Sequence, residues 1–401
     1  MNKKGLYITL AVAVVIAAAA YIAGSVNKNN DEVAARETTL PPYLLLTTTK
    51  IGEGTIFSQL ANVTINKVEN GNSTQTATLS NTDFLNNPIA TKDGYKIFVT
   101  DDGGIKYYAF TQAGAISQMS VNPFTDLYSV DYIFTCEKVG AGVLPYPFSD
   151  GTCDKITAKK IGSGETTEYS PSTYGQYSEI EYVGLSSDSK YVYLFADNVF
   201  PGGNKLNSGL IKQNLSTKTD FEVIVSTTSN NGQFNSPTES LEFIASSKNA
   251  AYLKSLTNSS EGNYDDAKVE IKKIMFDSGE ISQIGERFTA GQIFVFSQNR
   301  AYLMVEDNLE SSTLERKVSV YDTSSGSLVN TLNALTCGHK EISNSGLYIG
   351  EICIGNGENR ILNVNDGTRT TIATFTRPTD DSGYPIGYTE TLFLDFLNPV
   401  E

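Results

Sequence analysis

With 401 residues, 33 glycines, 22 tyrosines, no tryptophan and one histidine, the chain has room for one large domain or a few small ones. Its formal charge is -15, and because the first 28 residues hold three lysines and no acid, the remainder carries -18. Such a surface repels phosphate backbones and anionic lipid, so nucleic acid is excluded as a partner class, and a single histidine excludes multi-histidine metal sites.

Residues 1–4 carry Lys3 and Lys4 and are expected to stay in the cytoplasm. Residues 5–24, "GLYITLAVAVVIAAAAYIAG", are uncharged throughout. At 1.5 Å per residue that length crosses a hydrocarbon core of ~30 Å, which predicts one N-terminal transmembrane helix acting as a signal anchor. The bulk of the chain then lies outside, a single-pass protein of the cell membrane. Small residues at 18–20 and 23–25 suit a signal peptidase, so secretion after cleavage is the alternative; the stretch is longer than the usual signal-peptide core, which favours retention. "KKGLYITL" lacks the glutamate of a type IV pilin leader, having Leu10 in its place.

Residues 25–42, "SVNKNNDEVAARETTLPP", read as a polar tether closed by two prolines. From 43 to 401 no window sustains a 3.6-residue apolar period. Runs rich in Tyr, Val, Ile, Phe and Thr alternate with Gly, Asn, Asp and Ser clusters, the pattern of an all-β domain. The hairpin "VYDTSSGSLV" (320–329) has counterparts at 109–119, 214–225, 274–284 and 362–373. Each follows a further strand with its own polar lead-in, such as "SSDSKYVYLF", "SQNRAYLMV" and "SNSGLYIGEI". The lead-in strands are marked by Phe57, Phe98, Phe134, Tyr193, Tyr252, Tyr302 and Tyr348, which makes seven units.

Units of ~40 to 50 residues with about four short strands each predict a β-propeller of seven four-stranded blades, because one such sheet cannot bury both faces alone. The isolated run "ETLFLDF" (390–396) is expected to add a strand beside the first unit and close the ring. A β-solenoid would need shorter, more regular rungs.

Through "S-x-D/N-x-(x)-Y-(V/L)" lead-ins and "V-Y-D-T-x-S-G" turns, the chain resembles the β-propeller superfamily, particularly its TolB-like and YVTN-type bacterial groups. The resemblance covers about residues 50–375 and implies architecture only, since these residues suit β-turn geometry rather than chemistry. The WD dipeptide is missing, as is the tryptophan of quinone-binding and Asp-box propellers.

Hairpin symmetry pairs the four cysteines. Cys337 and Cys353 lie eight residues either side of Ser345 in the turn "SNSG", and Cys136 and Cys153 flank a Gly- and Pro-rich loop centred on Leu144 and Pro145. Two local disulfides follow, suited to an oxidising exterior. A zinc site is the poorer reading, because no cysteine pair is two to four residues apart. Inside the first loop Tyr146 and Phe148 are candidate ligand-binding residues, preorganised by proline and the bridge; folding back onto a blade is the alternative. Tyr169, Tyr174 and Tyr177 form a second candidate surface if exposed, and strand-edge packing if not. His339 reads as a polar strand residue, with no nucleophile motif beside it. "TDDGG" (100–104) and "TDDSG" (379–383) read as turns rather than Ca²⁺ loops.

No catalytic residue, metal or cofactor is implied. The expected function is a non-catalytic scaffold binding a protein or glycan at the cell surface, with the membrane as a further partner through the N-terminal helix. The alternative is a carbohydrate-active hydrolase or lyase using Asp and Glu in the axial channel.

Overall fold

The computed structural model describes residues 40–50, 61–85, 89–91, 94–101, 104–111, 116–119, 124–125, 132–138, 142–144, 153–174, 177–199, 205–217, 220–228, 239–257, 268–289, 291–307, 317–333, 337–353, 357–374 and 389–396. The apolar segment 5–24 and nearly all of the tether lie outside them, as do Phe57, Tyr146, Phe148 and the turn at 379–383. Among the described residues no helix is long and apolar enough to cross a membrane.

Almost everything described is antiparallel strand, as the alternating pattern requires. The first sheet holds β1 (Tyr43–Lys50), β2 (Ala61–Glu69), β3 (Asn72–Leu85), β4 (Ile89–Thr91), β5 (Gly94–Asp101), β6 (Gly104–Thr111) and β7 (Ile116–Met119). The second holds β8 (Phe124–Thr125), β9 (Tyr132–Lys138), β10 (Gly142–Leu144), β11 (Lys155–Lys160) and β12 (Thr166–Tyr169). Four sheets of four strands follow in chain order. They are β13 (Glu179–Leu185), β14 (Tyr191–Val199), β15 (Lys205–Asn214) and β16 (Phe221–Thr228); then β17 (Glu239–Ser246), β18 (Ala250–Thr257), β19 (Lys268–Met275) and β20 (Ile281–Thr289). The fifth sheet has β21 (Ile293–Phe296), β22 (Tyr302–Glu306), β23 (Lys317–Asp322) and β24 (Leu328–Asn333); the sixth has β25 (Gly338–Ile342), β26 (Tyr348–Cys353), β27 (Glu358–Asn363) and β28 (Arg369–Thr374).

The last strand, β29 (Thr389–Phe396), returns to the start and pairs antiparallel with β1, from Tyr43 opposite Phe396 to Thr49 opposite Thr389. The expected closing strand is therefore present. The first sheet has eight strands because β3, 14 residues long, pairs with β2 along most of its length and with β5 at Thr82–Leu85.

Each pair of successive sheets from the second onward encloses an apolar cluster. Phe134 and Ile156 meet Tyr182 and Leu194; Tyr193 and Leu210 meet Leu253 and Phe276; Tyr252 and Ile271 meet Phe296 and Leu303; Met304 and Val318 meet Ile349 and Leu362. Tyr348, Ile352 and Ile361 of the sixth sheet meet Tyr43, Leu45 and Val68 of the first, with Phe396 between them. Both faces of the third to sixth sheets are thereby covered by neighbours, and the last sheet packs on the first: this is a β-propeller. Burying one such side chain contributes about 1.5–3 kcal/mol.

The lead-in serines have a common role. Ser186, Ser297 and Ser343 are buried; each donates its backbone N–H to the carbonyl of Tyr191, Tyr302 or Tyr348, and its hydroxyl accepts from the same tyrosine's N–H at 3.0–3.1 Å. The marker residues Phe98, Phe134, Tyr193, Tyr252, Tyr302 and Tyr348 all fall on strands, β5, β9, β14, β18, β22 and β26 in turn. Later in the unit, Asp322 Oδ1 accepts from the backbone amides of Ser324 and Ser325 at 2.8 and 2.9 Å, which sets the turn between β23 and β24.

Ser189, Arg300 and Gly346 sit at one place in three lead-in turns, all with positive φ (54°, 60° and 73°). Only at Gly346 does the neighbouring sheet fill the space of a side chain: a Cβ there would lie 2.5–2.7 Å from the Tyr302 ring. Gly279, with φ of 69°, has nothing within 4 Å of that position. Gly279→Ala should cost about 1–2 kcal/mol for the left-handed backbone alone, and Gly346→Ala about 1–3 kcal/mol more for the overpacked ring. Denaturant unfolding of the two variants measures the difference; equal losses would mean the Tyr302 contact is absent.

Candidate functional site

The three predicted contact tyrosines are core residues. Tyr169 ends β12, Tyr174 ends a 3-10 turn (Pro171–Tyr174) and Tyr177 precedes β13; they are 2, 6 and 9% exposed. This corrects the reading of a solvent-facing tyrosine surface. The segment runs along the seam between the second and third sheets, where its rings join Phe134, Ile156 and Ile180. Tyr182 stacks on Phe134 at 4.3 Å, and Tyr174 meets Phe221 edge-on at 5.2 Å. Burial raises the Tyr169 and Tyr174 pKa values, so both hydroxyls stay protonated at physiological pH.

Both predicted disulfides are formed. Cys136–Cys153 joins β9 to a residue that bonds the third sheet, since Cys153 N–H donates to the Ile180 carbonyl at 2.6 Å and the Cys153 carbonyl accepts from Ile180 N–H at 3.0 Å. The same bridge closes the base of the loop that carries Tyr146 and Phe148. Cys337–Cys353 links the first two strands of the sixth sheet across directly opposed positions.

Beside that second bridge is a group of charged side chains, most of them buried. His339 on β25 has no side-chain exposure. Its Nδ1 lies 3.0 Å from Glu306 Oε1 on β22, and its Nε2 lies 3.0 Å from Glu351 Oε1 on β26. Glu306 Oε2 also receives the His339 backbone N–H at 3.4 Å. Glu351 Oε1 and Oε2 accept from Arg369 Nε on β28 at 3.3 and 3.1 Å, and Arg369 Nη2 donates to the Asn333 carbonyl of the fifth sheet at 2.8 Å. Both glutamates are buried, at 2% and 0% exposure.

The electrostatics follow from this packing. Burial alone would lower the His339 pKa, but hydrogen bonding and charge from Glu306 and Glu351 outweigh it and hold the pKa above the ordinary value. Burial would likewise raise Glu351, yet His339 and then Arg369 hold it below the ordinary range. With His339 protonated, two cations face two carboxylates and the buried charge balances.

The arrangement limits the chemistry. Cys337, Glu351 and Cys353 bring their ligand atoms within 4.8 Å of one another, but the sulfurs are bonded to each other and Glu351 already serves His339 and Arg369. The two imidazole nitrogens point to opposite sides, so one ion cannot bind Glu306, His339 and Glu351 together. Nor can this carboxylate pair receive a sugar, because an imidazole fills the space between them and neither reaches solvent.

Sequence reasoning placed His339 on a strand but missed Glu306, Glu351 and Arg369. The available signal was a glutamate in "YIGEIC", a strand buried at every position. Replacing Glu351 by Leu leaves His339 and Arg369 without their shared acceptor, and should cost about 3–5 kcal/mol. The quadruple replacement Glu306→Leu, His339→Phe, Glu351→Leu, Arg369→Met should be near neutral, since no charge is then left unpaired. Denaturant unfolding of both variants tests this; a negligible loss for the single change would show that the group bears no load.

No family model matches the sequence, and comparison with curated proteins finds no relative. Among solved structures, the chain is similar to oligogalacturonate lyase from Vibrio parahaemolyticus, with 11% identity over 86% of this chain and 90% of that one and a TM-score of 0.44. It is similar to AztD from Citrobacter koseri, with 10% identity over 88% and 98% and a TM-score of 0.41. A third is TolB from Acinetobacter baumannii, with 12% identity over 87% of this chain, 65% of the TolB chain, and a TM-score of 0.34. Likeness at this level carries nothing about what the chain binds or does.

Proposed function

We propose that the chain is a seven-bladed, extracytoplasmic β-propeller that acts as a non-catalytic scaffold for a protein or glycan. The eight-stranded first sheet counts as two blades, β29-β1-β2-β3 and β4-β5-β6-β7, and residues 5–24 anchor the ring to the membrane.

The observation that carries this reading is where the reactive side chains are. The disulfides and the only histidine serve the framework: Cys136–Cys153 lies at the second and third sheets, Cys337–Cys353 within the sixth, and His339 between the fifth and sixth. Two disulfides in one chain suit the oxidising side of a membrane. The apolar segment, its flanking lysines and the acidic domain agree with a protein held outside the cell. The loop closed by Cys136–Cys153 is the contact element this reading favours, because a bridge at its base and two prolines restrict it before a partner arrives.

The test has two arms on intact cells making the full-length chain. Added protease should degrade the domain, and protection of the whole chain would contradict the outward topology. The double variant Tyr146→Ala, Phe148→Ala should unfold within about 1 kcal/mol of the parent while losing its cross-links to surface proteins or glycans. A stability loss of ~3 kcal/mol or more would instead put both rings in the core and remove the loop as a site.

A further inference from the structure

Three inner strands carry a β-bulge at one place. The register with the second strand slips between Tyr182 and Gly184 in β13, between Phe243 and Ala245 in β17, and between His339 and Glu341 in β25. Tyr182, Phe243 and His339 are therefore equivalent positions. The first two put an aromatic ring against the second strand of the preceding sheet: Tyr182 on Phe134 at 4.3 Å, Phe243 near Phe195 at 6.3 Å. At the interface of the fifth and sixth sheets the same place holds an imidazole against a carboxylate, His339 against Glu306. An apolar contact would stabilise this seam as well as its neighbours do, and at every pH. Its replacement by a buried ionisable pair makes the seam's strength depend on one proton.

We propose that Glu306, His339 and Glu351 form a proton-binding latch between the fifth and sixth sheets. With the proton bound, His339 ties Glu306 of one sheet to Glu351 of the other, and Arg369 adds a second tie through the Asn333 carbonyl. Without it, two buried carboxylates share one guanidinium and a neutral ring, and the seam carries an uncompensated negative charge.

The charged groups around the ring are Glu306 from β22, Glu351 from β26 and Arg369 from β28; the Cys337–Cys353 bridge beside them does not titrate. Asp307, next to Glu306, faces the Gln292 amide and the Lys317 N–H, and Glu341 on the same strand as His339 is half-buried. The sign follows. His339 is held above the 6.5 of a free imidazole, so the latch is complete below that pH and is lost as pH rises through the higher value in the folded chain. Glu351 is held below the ordinary 4.5, so its share is present above that pH and is lost on acidification. The latch is strongest between these limits, in mildly acidic to neutral solution.

With one histidine in the sequence, a tag-free full-length chain labelled with ¹³C at the histidine ring gives a single Cε1–H signal that belongs to His339. Its titration midpoint should lie above 6.5. Over the pH range from 6.5 to that midpoint, backbone amide exchange in β22, β25 and β26, corrected for its intrinsic rise with pH, should accelerate by roughly tenfold per pH unit. Exchange at β14 and β18, whose seam carries aromatic rings, is the internal reference. The combined variant Glu306→Leu, His339→Phe, Glu351→Leu, Arg369→Met, which restores the aromatic found at the equivalent positions and leaves no buried charge, should remove the difference between the two seams; should that variant not fold, titration of the parent chain decides. A midpoint at or below 6.5, or exchange at the two seams that changes in parallel with pH, would overturn the proposal.

Discussion

The structure depends on one constraint. A twisted four-stranded antiparallel sheet with apolar residues on both faces cannot satisfy itself, because each face needs a neighbour and an outer strand leaves backbone groups unpaired. Repeating the unit supplies a neighbour for each inner face, but a row of sheets still ends in two bare faces. Pairing β29 with β1 removes the difficulty by making the last segment of the chain part of the first sheet. Phe396, 1% exposed, then fills the cluster shared by the first and sixth sheets. The serine lead-ins, the Asx turns and the left-handed residues serve the same end, since they fix where each strand starts and so which side chains meet across a seam.

Within that frame the seams differ in chemistry. Aromatic rings dominate where the second, third and fourth sheets meet, and Tyr193 adds a hydroxyl bond to the Phe276 carbonyl across the interface. Ser187 reaches Asp277 of the next sheet at 2.9 Å, and Asn299 N–H reaches Asn344 Oδ1 at 2.9 Å, so turns of the third and fourth and of the fifth and sixth sheets also touch one another. The seam at His339 adds a buried group of charges to its apolar contacts. Removing any one member there strands the others, whereas changing all of them together restores the chemistry of the neighbouring seams.

Much of this was legible in the sequence because turns and hairpins are local. The strands of six of the seven marker residues, both disulfides and the closing strand at 390–396 could be read from spacing alone, Phe57 lying outside the described residues. What was not legible depends on contacts between units. Tyr169, Tyr174 and Tyr177 sit among serines and glycines that suit a surface, and only the path of the chain across the second and third sheets buries them. Glu306 and His339 are 33 residues apart and on different sheets, so no local pattern joins them. The fusion of β3 into two pairings was likewise hidden, because strand length says nothing about the number of partners.

The central claim is that the two ends of the domain meet in one register. Thr47 of β1 stands opposite Thr391 of β29, while Glu390 stands opposite Thr48, one position out of register with Thr47. Thr47→Cys with Thr391→Cys should therefore oxidise to an intramolecular bridge, found by peptide mapping of the unreduced chain, and Thr47→Cys with Glu390→Cys should keep two free thiols. Free thiols in the first pair, or a bridge in both, would contradict a ring closed by β29 on β1.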